Sequence, residues 1–197
     1  MKWLVLVAAV LVVSGCASVG ERGYRPATHA EKKAFARADR SVSPQAVRSD
    51  FVSYGGMEVA WAGIIKNVQY SETERTYLIA FEVEHCGFDW TERGGTEPFR
   101  LTAPGEGTFT AGWYANKPTR VSYLQLLAAP GDMLIVYGKP HQMKNGVVQL
   151  AATAIRPVKV GGFAIHPSAK PQPAPAAARM PESGNRALDS LTLPPDE

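Results

Sequence analysis

Charge of one sign, long apolar runs and cysteine are all scarce in this sequence. Lysine and arginine number 21 against 18 acidic residues, a formal net charge of +3. That is too close to neutrality to argue for an acidic partner. Phosphate contacts need clustered cations, so nucleic acid is not expected as a partner. The apolar run from Trp3 to Val13 is too short to span a bilayer comfortably as a helix. No glycine-rich phosphate loop precedes a helix, and no Gly-x-Ser-x-Gly occurs. With those signatures missing, nothing argues for catalysis, and no cofactor is expected.

What is present begins with an address. Lys2 and the run Trp3 to Val13 read as the n-region and h-region of a signal peptide, and Val13-Ser14-Gly15-Cys16 follows directly. Small residues leading into a cysteine resemble the lipobox of bacterial lipoproteins. The resemblance implies cleavage after Gly15, with acyl chains on Cys16 anchoring the mature chain to a membrane. Ala17 and Ser18 follow the cysteine where retained lipoproteins commonly carry aspartate, which implies sorting to the outer membrane. Lys2 would leave with the leader, taking the net charge to about +2. If Cys16 carries lipid, Cys86 has no partner within the chain.

Residues 16–50 read as a lipidated linker with a short helix. Thr28-His29-Ala30-Glu31 has capping-box spacing, in which the glutamate reaches back toward the cap. Ala30, Ala34, Phe35 and Ala38 then oppose Lys32, Lys33, Arg37 and Arg40. The helix is expected to pack Phe35 on the domain, with its basic face available to a membrane surface. Ser43-Pro44 offers a cap and a first helical residue for another turn.

Residues 51–162 carry the strand signals. Glu58 to Tyr70 alternates, with Val59 and Trp61 on one face, and changes parity after Gly63, which reads as a bulge there. Thr76 to Cys86 places Tyr77, Ile79, Phe81 and Val83 on one face against Glu82 and Glu84. Gly87 to Gly107 reads as loop and Thr108 to Tyr114 as a third strand. Arg120 to Ala129 fits a helical face through Val121, Leu124, Leu127 and Ala128. It also fits alternation through Val121, Tyr123 and Gln125, and the helix is favoured. Met133 to Gly138 is a fourth strand, Asn145-Gly146 a hairpin turn, and Val147 to Ile155 a fifth strand closed by Pro157. Residues 163–197, rich in proline and alanine, lack the apolar bulk to order themselves and are expected to be a disordered tail.

The fold class is therefore mainly β: a small five-stranded OB-like barrel with one or two short helices. Val59-Ala60-Trp61-Ala62-Gly63-Ile64-Ile65, Gly107-Thr108-Phe109, Pro130-Gly131-Asp132, Val136-Tyr137-Gly138 and Ile155-Arg156-Pro157-Val158 resemble the Slp family of outer-membrane lipoproteins. The resemblance covers the barrel and the lipobox. It implies an OB-like lipoprotein of the Gram-negative envelope, associated with stress or starvation, without established enzymatic activity. The long loop through Gly94-Gly95, the longer segment between the third and fourth strands and the Pro/Ala tail depart from that family.

Candidate chemistry is sparse. His85 and Cys86 are adjacent, but consecutive strand side chains point to opposite faces and make no dyad. His85 with His141 is too small a set for a metal site, and Glu82 with Glu84 reads as a solvated face. OB barrels bind oligonucleotides or oligosaccharides on the face of strands two and three. Among the aromatics, Trp61, Tyr77 and Phe81 are expected inside, while Trp90 and Tyr114 are the candidate ligand contacts. A protein or glycan of the envelope is the expected partner. The competing reading is an anchored envelope enzyme, such as a cell-wall hydrolase.

Overall fold

The computed structural model describes residues 23–90, 98–117 and 120–166. The expected leader, Cys16, Gly94-Gly95 and the tail from residue 167 lie outside them. Among these residues six strands carry the fold: β1 (Val59–Glu72), β2 (Thr76–Phe88), β3 (Phe99–Asn116), β4 (Met133–Lys144), β5 (Val147–Val158) and β6 (Phe163–His166). The strand order is β2-β1-β4-β5-β3-β6, and β2 also pairs with β3, so the first five close into a ring. All ring pairings are antiparallel except β3 with β5, which is parallel. This is an OB-like barrel, mainly β as the sequence predicts.

The interior is filled from the alternating positions. Val59, Trp61 and Ile65 of β1 meet Ile79, Phe81 and Val83 of β2, with Phe109 and Ala111 of β3. The parity change in β1 is real, but it lies later than expected. Ile64 still faces outward, the register shift falls between Ile65 and Asn67, and only then do Val68 and Tyr70 turn to the core. Gly63 has a different job. A Cβ there would collide with the backbone carbonyl of Glu84, so the glycine lets β1 and β2 approach.

Short helices close on this core. In α1 (His29–Arg37), Thr28 Oγ1 accepts from the Glu31 amide at 3.1 Å. Ser43 caps α2 (Pro44–Ser49), which inserts the fully buried Val47. Asp50 caps α3 (Phe51–Tyr54), accepting from the Ser53 amide at 3.2 Å. The segment that fits either helix or strand is helical, α4 (Val121–Leu127), and its Leu124 packs on the same core. Leu124 also accepts a hydrogen bond from the Tyr70 hydroxyl at 3.2 Å.

A second apolar cluster lies on the other face of β1 and β4. Ala60, Ala62, Met133, Ile135 and Tyr137 are covered there by Tyr24, Ala34 and Ala38. The backbone is tied too: the Asp39 amide donates to the Glu58 carbonyl at 2.7 Å and the Ala60 amide to Asp39 at 2.9 Å. The segment read as a linker thus packs on the barrel from Tyr24 onward. Within it Glu31 is buried and Ala30 exposed, so the helical face is rotated from the expected one.

Several boundaries differ from expectation, and strand β4 runs six residues past Gly138 to Lys144. Strand β3 begins at Phe99, inside the presumed loop, because Leu101 and Pro104 pair with Phe88 and Cys86. Strand β5 runs through Pro157, opposite Leu134, instead of stopping there. Phe163–His166 is a parallel strand beside Phe99–Thr102, four residues past the expected barrel boundary. The turn at Asn145-Gly146 is as predicted, with φ values of 52° and 76°.

Candidate binding face

After the bulge, Asn67, Gln69 and Ser71 of β1 point out of the barrel, since their neighbours Val68 and Tyr70 point in. The same alternation turns Leu78, Ala80 and Glu82 outward on β2, and Thr108, Thr110, Gly112 and Tyr114 on β3. Register aligns them into rows. Asn67 pairs with Glu82, Glu82 with Thr110, and Thr110 with Gln149 of β5. The next row is Gln69, Ala80, Gly112 and Ala151, and beyond it Tyr114 stands opposite Leu78.

The first row floors an open cleft of about 270 Å³. Lys144 and Asn145 of the β4–β5 hairpin form one side, with Val147 beside them. The lining is dominated by amides and hydroxyls, each able to donate and accept. Glu82 and Lys144 supply one charge of each sign, and among the described residues no histidine or cysteine lines the cleft. Nearby, Glu84 is satisfied by Lys66 at 3.1 Å.

The two aromatics singled out from sequence are not together. Tyr114 is 62% exposed and stands on this outward face. Trp90 belongs to the second cluster instead. Its ring meets Phe88 edge-on at 4.6 Å and Tyr24 at 5.4 Å, and its carbonyl accepts from the Tyr24 amide. Cys16, the expected lipidation site, lies outside the described residues.

His85 and Cys86 do point to opposite faces. Cys86 is buried in the second cluster, where burial first and the Glu84 charge next push its thiol up to about 11. His85 faces inward against Trp61 and Phe109, and His141 is exposed on β4. Burial, the leading cause, lowers the His85 pKa to about 4. The Glu106 carboxylate, 3.7 Å away, opposes the shift, and Arg48 adds to it.

The cleft residues were missed in the sequence because alternating Asn, Gln and Thr mark any solvated strand face. Only cross-strand register shows that they form one row. The position of that row, on β2 and β3 beside the β4–β5 hairpin, is where OB barrels take ligands.

No family model matches the chain, and no curated protein is detectably similar in sequence. Solved structures do match. The second single-stranded DNA-binding protein (SSBb) of Mycobacterium smegmatis is 18% identical, with TM-score 0.33, covering 51% of this chain and 86% of that one. An OBody bound to hen egg-white lysozyme is 12% identical, with TM-score 0.28, covering 56% and 90%. One expectation is corrected: a single-stranded DNA-binding protein stands among the matches, and net charge alone does not exclude nucleic acid as a partner. Net charge averages over a whole surface, whereas single strands are held by local cations and stacking rings.

Proposed function

We propose that this chain is a lipid-anchored protein of the Gram-negative outer membrane, Slp-like, whose barrel binds an envelope protein or glycan without catalysing a reaction. The observation that carries the binding half is the polar row Asn67–Glu82–Thr110–Gln149 beneath the β4–β5 hairpin. An open cleft of amides and hydroxyls, with one carboxylate and no base–nucleophile pair, suits recognition better than bond cleavage. The sequence Val13-Ser14-Gly15-Cys16 supports the anchoring half. Several acyl chains at about 0.8 kcal/mol per buried methylene hold a protein where one chain is marginal.

The test is one strain expressing the full chain with a photo-crosslinking side chain at Gln69. Expected are labelling by a palmitate analogue, loss of label in Cys16→Ser, recovery with outer-membrane fractions, and a covalent adduct from the cleft. An unlabelled wild-type protein overturns the anchor. A labelled protein that forms no adduct at Gln69, or at a second position such as Gln149, overturns the binding role.

A further inference from the structure

We infer that the cleft and the flat strip leading from it to Tyr114 bind an uncharged oligosaccharide. The inference rests on the proposed binding role and names its ligand.

Three observations converge. The polar row presents side-chain amides from Asn67 and Gln149 and a hydroxyl from Thr110, groups that donate and accept at once, as sugar hydroxyls do. The two charges lining the cleft, Glu82 within the row and Lys144 on the hairpin, are of opposite sign, so the cleft offers a polyion of either sign no net attraction. Then, along β3, the surface changes from polar to flat to aromatic. Thr110 and Tyr114 are four residues apart on one face, about 13 Å at strand spacing. Between them lies the row of Ala80, Gly112 and Ala151, with Gln69 at its β1 end.

Gly112 is the informative member of that strip. It is not among the glycines with positive φ, and a Cβ there would meet Leu78 Cδ1 at 3.6 Å and the Leu150 carbonyl at 3.9 Å, both ordinary contacts. The fold does not require glycine at this position. Its missing side chain lowers the floor between the hydrogen-bonding row and the exposed ring, with Leu78 lying alongside. A sugar chain has both faces this surface asks for: hydroxyls at its edges, and a CH face that lies flat on an aromatic ring such as Tyr114.

A single-stranded nucleic acid, which draws on clustered cations and successive stacking rings, is the alternative occupant to separate. Calorimetric titration of the full chain in detergent would use three probes: a β-1,4-linked N-acetylglucosamine hexasaccharide, an α-1,4-linked glucose hexasaccharide and an oligothymidylate. Binding of at least one hexasaccharide is expected. Gly112→Gln, which fills the strip, and Tyr114→Ala should each weaken it about tenfold or more with an unchanged melting temperature. Thr110→Val, nearly isosteric, should weaken it through the lost hydroxyl alone.

Three results overturn the inference: neither sugar binds, sugar binding survives all three substitutions, or the oligothymidylate binds and loses affinity in the same variants. The Gln69 crosslink separates this failure from that of the binding role. A protein adduct with no sugar binding removes the oligosaccharide and leaves a binding barrel. No adduct and no binding remove both.

Discussion

Glu31 of α1 and Tyr137 of β4, 106 positions apart, are joined by a 3.2 Å hydrogen bond with both side chains buried. The same carboxylate accepts from the Tyr24 hydroxyl and, at 2.6 Å, from the Ala27 amide. Arg156 approaches it at 3.9 Å and also donates to the Tyr24 hydroxyl at 2.9 Å. The capping glutamate reaches past its own cap because burial among two tyrosines gives it better partners. This carboxylate joins the Asp39 backbone bonds and the Arg37–Glu58 ion pair in fixing the N-terminal segment to the barrel.

Glu31→Ala should therefore be costly. It removes the carboxylate that accepts from two tyrosine hydroxyls and one amide, and removing one member of a buried charged network costs about 3–5 kcal/mol. Chemical denaturation of the full chain would show the midpoint fall. A loss under about 1 kcal/mol would mean that the segment contributes little to stability.

Two glycines give opposite expectations for the same substitution. Gly63→Ala places a Cβ against the Glu84 carbonyl and within 2.8 Å of Val83 Cγ1, so β1 must move off β2. Overpacking of this kind costs about 1–3 kcal/mol or more. Gly112→Ala makes only ordinary contacts and should change stability by less than about 0.5 kcal/mol. Equal thermal shifts for the two would contradict the strand spacing described.

The inward faces of the strands could be read from sequence because alternation reports them directly: Tyr77, Ile79, Phe81 and Val83 all lie at or against the core. The second cluster could not. Ala60 and Ala62 alternate with Val59 and Trp61 and look like a neutral outer face until Tyr24 and Ala34 cover them. Nor does a pattern search find Glu31 as a buried residue, since its capping role already accounts for it. The early half of β3 is hidden by Pro104, Gly105 and Gly107, residues that usually punctuate loops, and its pairing to Cys86 and Phe88 is irregular. The polar row was out of reach for the same reason: it exists only across strands.

Trp61 is 2% exposed, and its indole nitrogen donates to the Val42 carbonyl at 2.7 Å. Trp61→Phe should keep most of the packing and lose that bond, at about 1–2 kcal/mol. Trp61→Ala should cost about 3–5 kcal/mol. Since total stability is about 5–15 kcal/mol, the alanine variant should be partly unfolded in mild denaturant. Intact resistance to urea in Trp61→Ala would mean that the ring does not fill the barrel.

The last expectation concerns acid. The His85 ring packs against Trp61 at 6.4 Å and Phe109 at 6.3 Å between centroids. Arg48, which donates to the Glu106 and Thr108 carbonyls, and the Glu106 carboxylate are the charged groups that act on it. Burial holds the folded pKa near 4, below the ordinary 6.5. Between those values the unfolded chain binds more protons at this residue than the folded one, so stability rises with pH. On acidification the contribution is intact above pH 6.5, declines through the window, and stops changing below about 4. Carboxylates such as Asp132, whose net shift is downward, add their own loss at lower pH in both proteins. His85→Phe should keep the ring contacts and remove only the histidine's share. Denaturation midpoints at about pH 7 and about pH 4.5 should therefore fall further in the wild type than in the variant. Parallel declines would show that His85 takes up its proton as readily in the folded barrel as in the unfolded chain, with Glu106 offsetting the whole cost of burial.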